Sequence, residues 1–271
     1  MKIEQPSSEA QKVTAAFNTV AAIYDESFNV SPVVYRLRSK VYHAIESRKQ
    51  PPASILDINC GTGIDAMYFA GKGMEVTGID ISSNMIGQCR QKAEKLQLKN
   101  LKFYVISYEH LSQNLNGAFD LVLSNFGGLN CVENLDVVAN QLSALTKQGS
   151  YFIAVVMPPF SLWDMITGVI KGKWNYAFRR LRKQVRATGF GNESFDVFYH
   201  SPNNFISAFK EWFTLEQMTG FNIVSPSPSS VGFAQRHRRL SSLLIQVDEL
   251  IENIPIIRSA GDHYMLVMRR K

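Results

Sequence analysis

Apolar positions along this chain fall into two alternating patterns, short unbroken runs and stripes at helical spacing. Ile55, Leu56 and Ile58 form a run of strand length, closed by a turn that contains Gly61 and Gly63. The next stretch, IDAMYFAGKG, places Ala66, Phe69 and Ala70 on one side of a helix, with Gly71 or Gly73 near its end. VTGIDIS at 76 to 82 predicts a second strand ending in Asp80. Lys102 to Ile106 (KFYVI), Phe119 to Asn125 (FDLVLSN) and GSYFIAVVMPP predict a third, fourth and fifth, the last stopped by two prolines. Strands alternating with helices in this way predict an open α/β sheet of Rossmann-like type.

Beyond the fifth strand the spacing changes. Residues 158–198 are longer than an ordinary strand-to-helix connection and predict an inserted cap. PNNFISAFKEW (Pro202 to Trp212) reads as a helix and FTLEQMTGFNIVSP as a strand with its approach. A second insertion spans 226–262, where Leu240, Leu243, Leu244, Val247, Leu250, Ile251 and Ile254 recur at helical spacing. That stripe predicts a core-facing helix, or the wall of an apolar pocket. HYMLVMRR reads as the last strand. The expected organisation is an N-terminal helical cap segment (1–50), a core (51–157), a cap insertion (158–200) and a C-terminal part of the core (201–271).

Composition narrows the setting. With 271 residues, 45% of them hydrophobic, the chain can bury a full core as one large domain. Its longest strongly apolar run, YFIAVVM, is far too short to cross a bilayer, and MKIEQPSSEA lacks the blocks of a signal peptide. Cys60, Cys89 and Cys131 are odd in number and have no C-x-x-C spacing, which fits a reducing cytoplasm and no structural metal. The net charge is +6, and from Lys171 to Arg186 seven basic residues occur without an acid. On a helix, Trp174, Phe178, Leu181 and Val185 would share one face while Arg179, Arg182, Lys183 and Arg186 hold another. Such an element reads as a solvated helix, as a recruiter of an anionic or amphiphilic substrate or an anionic membrane surface, or as a nucleic-acid contact.

The first turn carries the chemistry. Gly61 and Gly63 let backbone approach a ligand, and Asp80, 17 positions after Gly63, can accept hydrogen bonds from both ribose hydroxyls. Asp57, just ahead of the turn, would repel a pyrophosphate and suits a ligand with a positive amino group. The glycine turn by itself also admits a nicotinamide-binding or purely structural domain. The series Asp57, Ile58, Asn59, Cys60, Gly61, Thr62, Gly63 resembles the first motif, D-x-G-x-G-x-G, of the class I S-adenosylmethionine-dependent methyltransferases. It departs at Asn59, a residue that tolerates left-handed backbone.

That resemblance implies a seven-stranded sheet with one antiparallel edge strand and S-adenosylmethionine as cofactor. It implies that Asp57 helps place the methionine amino group and that Asn59, Cys60, Gly61, Thr62 and Gly63 pass close to the cofactor. Asp80 would hold the ribose, with Ile81 against adenine and Ser107 and Tyr108 nearby. The opening FNTVAAIYDESF is similar to that of the quinone and small-molecule branch, with Tyr24 at the cofactor's edge; it also reads as a plain helical core stripe. The loop from Asn125 and Phe126 lacks the paired prolines of enzymes acting on amides and nucleobases, and looks more like a small-molecule enzyme's cofactor and substrate boundary.

The implied reaction is in-line attack of an oxygen, nitrogen or carbon nucleophile on a sulfonium methyl, which needs alignment more than a metal. Where a base is required, His200 is the first choice, ahead of His110 and His263. Tyr24 and Tyr199 are polar positioners, and Trp174, Arg179 and Tyr199 of the cap are candidate substrate contacts. Three functions follow: a small-molecule methyltransferase, a nucleic-acid methyltransferase using the basic cap, or a non-catalytic S-adenosylmethionine-binding protein.

Overall fold

The computed structural model describes residues 7–29, 31–48 and 50–271; residues 1–6, part of the segment read above for a signal peptide, lie outside them. Helices α1 (Ser8–Val20) and α2 (Pro32–Glu46) precede the sheet. The core then runs β1 (Ser54–Ile58), α3 (Ile64–Gly71), β2 (Glu75–Asp80), α4 (Ser83–Lys95), β3 (Leu101–Val105), α5 (Leu111–Asn114), β4 (Phe119–Ser124), α6 (Leu135–Leu145) and β5 (Thr146–Val156). Next come α7 (Leu162–Ile170), α8 (Trp174–Ala177), β6 (Gln184–Phe190), β7 (Glu193–Phe198), α9 (Pro202–Phe209) and β8 (Phe213–Phe221). The chain finishes with α10 (Val231–Arg236), α11 (Arg238–Ile251) and β9 (His263–Arg270).

Seven strands form one sheet in the order β3-β2-β1-β4-β5-β9-β8, and β6 and β7 form a separate hairpin. Strands β1 to β5 pair in parallel, while β9 runs antiparallel to both β5 and β8. Because β9 is reversed, its first residue, His263, stands at the same end of the sheet as the last residues of β1, β2, β4 and β5. Ligands in open α/β sheets bind at that end. Both faces of the sheet are covered, one by α6 and α9 and the other by α2, α3 and α4.

Short strands buried on both faces explain the unbroken apolar runs. Leu56, Ile58, Val122, Phe152, Ala154 and Leu266 face one core cluster, and Ile55, Leu121, Leu123, Ile153 and Val267 face the other. Alternation along each strand sorts its residues between the two.

Two expectations for the later chain change. The basic cap is not one helix: α8 lasts four residues, and Lys183 takes φ +63°, which no right-handed helix accommodates. Gly189 and Gly191, at φ +100° and +67°, then turn the chain into the β6–β7 hairpin. Ala187, Phe195 and Val197 of that hairpin pack with Val13, Ala16 and Phe17 of α1. The second difference is α11, whose leucine stripe was expected to face the core. Leu243 is 57% and Leu250 80% exposed, while Ser241 and Asp248 point inward.

Candidate active site

Backbone geometry at the end of β1 builds the floor of a cavity of about 580 Å³. Asn59, Gly61 and Gly63 have φ of +58°, +54° and +81°, so three left-handed residues within five positions fold the chain back sharply into α3. At Gly61, which lines the cavity, a Cβ would meet no atom within 4 Å, so open space lies where a ligand must pass. Asn59 takes left-handed backbone and adds its own anchor. Its Nδ2 donates to the Asn125 carbonyl at 3.0 Å, and its Oδ1 accepts from the Ser124 hydroxyl at 2.7 Å. The first turn and the loop after β4 are thereby sewn together.

Asp80 closes the next corner. One carboxylate oxygen accepts from the Gly61 amide and the other from the Ser82 amide, each at 2.9 Å. Each oxygen retains a further acceptor site, enough for two vicinal hydroxyls. Burial pushes the Asp80 pKa up to about 6, against the backbone N–H groups of Ser82, Gly61 and Ile81 that favour the ionised form. These residues fit a ribose-bearing cofactor on geometry alone.

The other end of that corner holds a charge pair that the pattern did not single out. Arg38 of α2 lies 2.7 Å from Asp65 of α3 and stacks over the Phe126 ring at 4.8 Å. Asp65 also accepts from Tyr42 Oη at 2.7 Å and Asn125 Nδ2 at 2.9 Å. Arg38 and Asp65 both line the cavity, so a zwitterionic ligand end meets a cation and an anion there. The available signal was a cation on α2 beside Val34, Leu37 and Val41, which are buried.

The roof comes from the N-terminal segment and the hairpin. Phe17 packs edge-on to Phe190 at 5.5 Å and contacts Phe195 at the same distance, while Tyr24 stacks on Phe28 at 4.9 Å. Asn18 of α1 accepts from the Ser82 hydroxyl at 2.7 Å, and Glu9 accepts from the Asp196 amide at 2.8 Å. Burial raises the Tyr24 pKa to about 12, with Asp80 adding to it, and burial raises Tyr108 well above its ordinary value. Both phenols stay protonated near neutrality.

Eleven of the thirteen cofactor positions expected from sequence stand on the cavity wall: Tyr24, Asn59, Cys60, Gly61, Thr62, Asp80, Ile81, Ser107, Tyr108, Asn125 and Phe126. Gly63 does not, because it faces inward against Cys89, Met67 and Phe103. Asp57 also lies behind the wall. It is 2% exposed, its Oδ2 has no hydrogen-bond partner, and burial with the neighbouring carboxylates of Asp65 and Asp80 raises its pKa well above the usual range.

The cap residues expected to touch substrate are elsewhere. Trp174 is 60% exposed and stacks on Phe178; Arg179 is ion-paired to Asp164 at 2.7 Å; Tyr199 lies under Arg180. His200 is buried with its Nε2 2.9 Å from the Val132 carbonyl, and burial holds its pKa down. Among the described residues the imidazole on the wall is His263, at the start of β9. Its Nδ1 lies 2.7 Å from Asp262 Oδ2. Asp262 in turn pairs with Arg180, itself 2.9 Å from Asp164. Burial alone would raise the Asp262 pKa, but Arg180 and His263 hold it well below the carboxylate range.

Comparison with known proteins bears on this geometry. A methyltransferase domain matches residues 49–163, the span that builds the floor and the β4 loop. Residues 49–163 therefore carry a methyltransferase domain of the class I S-adenosylmethionine-dependent kind. It is similar to a ubiquinone/menaquinone biosynthesis C-methyltransferase of Rhizobium etli (strain CIAT 652), 27% identical over 86% of this chain and 91% of that one. It is 35% identical to a ubiquinone biosynthesis O-methyltransferase of Albidiferax ferrireducens, over 34% of this chain; the match spans about a third of that relative's length, 33%. Among solved structures, the magnesium protoporphyrin IX methyltransferase of Synechocystis PCC 6803 with bound S-adenosylhomocysteine shares the fold. Its TM-score is 0.59 at 16% identity, over 97% of this chain and 100% of that one. The cofactor of that family is S-adenosylmethionine, and the Gly61–Asp80 corner offers the acceptors that a ribose requires.

Proposed function

We propose that this protein transfers the methyl group of S-adenosylmethionine to a phenolic oxygen or activated ring carbon of a small, amphiphilic, quinone-type acceptor. The observation that carries the reading is a single cavity with two chemically distinct ends. One end offers Gly61, Asp80 and the Arg38–Asp65 pair to a nucleoside and an amino acid; the rest is mostly apolar, with Phe17, Phe28, Val137 and Phe198 on its walls beside Glu9, Glu109 and Glu133. Several sequence relatives are named as ubiquinone or menaquinone methyltransferases, which agrees with an acceptor of that kind.

When bound, the cofactor supplies a methyl on a positively charged sulfur, already activated for displacement. The chain's share is alignment and exclusion of water. Asp80 holds the ribose, Arg38 and Asp65 hold the carboxylate and ammonium, and α1 with its hairpin covers the site. His263 is the base: Asp262 lies against Nδ1, which leaves Nε2 to take the proton of an acceptor hydroxyl. Tyr24 and Tyr108, protonated, are donors that orient the acceptor.

Calorimetric titration with S-adenosylmethionine, S-adenosylhomocysteine and NAD tests the cofactor end. Transfer of radiolabelled methyl to a catechol with and without a prenyl tail tests the acceptor end. Binding of the first two ligands and preference for the tailed catechol are expected. Binding of NAD alone, or transfer to neither catechol, overturns the reading.

A further inference from the structure

Helix α11 is amphipathic the wrong way round for a helix packed on a soluble core. Its polar side is the inner one. Asp248 accepts from the Val224 amide at 2.8 Å and lies 4.0 Å from Arg36; Glu252 is ion-paired to Lys40, and its carbonyl accepts from the Gly220 amide at 2.7 Å. At 100° per residue, Leu240, Leu243, Val247 and Leu250 fall within one sector of about 80°. All four are exposed, between 36% and 80%, as is Ile254 just past the helix end. Such a stripe normally faces the interior.

A second apolar surface adjoins it. The segment leading into α11 packs on α7, with Phe233 5.2 Å from the Trp163 ring and Ser230 bonded to Trp163 Nε1 at 2.9 Å. Beyond α11, the Ala260 carbonyl accepts from the Leu162 amide at 2.9 Å. Helix α7 and its continuation expose Ile166, Ile170 (78%) and Trp174.

Charge selects what could cover these faces. The exposed run Arg236, His237, Arg238, Arg239 opens α11, and Lys171 and Lys173 close α7; the exposed acid on α11 is Glu249. Aliphatic side chains framed by cations suit a surface that is apolar beneath an anionic layer. A second copy of the chain would crowd two such basic sets into one interface with little to neutralise them.

We propose that α11 and α7 form a docking face for an anionic lipid bilayer, with the leucine stripe set below the headgroups and the cations among them. Helix α11 is tied to α2 through Asp248 with Arg36 and Glu252 with Lys40, and α2 also carries Val34 and Arg38 of the cavity wall. An amphiphilic acceptor could therefore enter from the lipid; that step rests on the function proposed above, whereas docking does not.

The test is flotation of the purified protein with vesicles of phosphatidylcholine alone and with about three parts in ten phosphatidylglycerol, at low and high salt. Flotation with the anionic vesicles only, weakened by salt, is expected. Leu243→Ser combined with Leu250→Ser, and separately Arg238→Glu combined with Arg239→Glu, should each lower the bound fraction about tenfold or more. Both variants should keep their affinity for S-adenosylhomocysteine, because these exposed positions lie away from the cavity. Absence of flotation with anionic vesicles, or unchanged flotation of both variants, overturns the proposal. So does a dimer in light scattering that the leucine variant dissolves, which would assign the face to a second copy. Loss of methyl transfer with flotation intact would instead count against the proposed acceptor alone.

Discussion

The Asp25 carboxylate accepts a hydrogen bond from the Thr62 hydroxyl, and Lys92 is ion-paired to the same group. Asp25 belongs to the N-terminal segment that roofs the cavity, Thr62 to the glycine turn that floors it. One side chain therefore latches roof to floor beside the cofactor corner, and Lys92 adds a second tie by donating to the Thr62 carbonyl at 3.1 Å.

Asp25→Ala should loosen that closure without disturbing the sheet. Loss of a charge-assisted hydrogen bond at a partly exposed site is worth roughly 1 kcal/mol, so the Kd for S-adenosylhomocysteine should rise about fivefold. Stopped-flow binding should place the change in the dissociation rate. An unchanged dissociation rate would mean that the latch does not govern closure.

Asp80 makes cofactor affinity depend on pH. Its folded pKa is raised to about 6 by burial, and ribose hydroxyls donate to the ionised carboxylate. Binding thus favours the deprotonated form and must compete with a proton below pH ~6. Affinity for S-adenosylhomocysteine should be level above neutrality and fall as pH drops through 6, approaching about tenfold per unit. Asp80→Asn, with no proton to lose, should bind weakly at every pH and remove this slope. Affinity that rises on acidification would contradict the assignment.

Much of the floor was legible because it depends on local backbone. Gly61 and Asp80 announce themselves by type and spacing, and Asn59 adopts the left-handed conformation expected of it. The parallel strands were legible because double-sided burial leaves unbroken apolar runs. Arg38, Asp65 and His263 were harder to find because their role depends on which helix and strand come together, which no local pattern encodes. His200 and His263 look alike in sequence, one two positions ahead of Pro202 and one opening a strand. Only the reversal of β9 brings the second to the cavity while the first turns to the Val132 carbonyl. The leucines of α11 misled for a different reason: periodicity reports that a helix has an apolar side, not which way that side faces.

Gly128 carries a packing demand that follows from Asn59. A Cβ at Gly128 would lie 2.1 Å from Asn59 Cγ, and the Asn59 amide cannot swing aside without breaking its bonds to Ser124 and Asn125. Gly128→Ala should therefore destabilise the protein by roughly 1–3 kcal/mol. Asn59→Gly removes the obstacle at the cost of the stitch. The double variant should then be more stable than the sum of the two single losses, a coupling that denaturant melts can resolve. Simple additivity would show that the contact is relieved by another movement.

His263 separates positioning from chemistry. If it removes the acceptor's proton, His263→Gln should lower kcat by about 10²–10⁴-fold and leave affinity for S-adenosylhomocysteine unchanged, since the imidazole lies at the β9 end of the cavity. Asp262→Asn retains the shape but takes away the charge against Nδ1. It should lose less than His263→Gln. A structural role alone would lower stability and cofactor affinity in step with kcat. An acceptor whose hydroxyl is already ionised at the assay pH supplies the remaining control. Its rate should be nearly insensitive to His263→Gln, and an equal loss with both acceptors would remove His263 from the proton-transfer step.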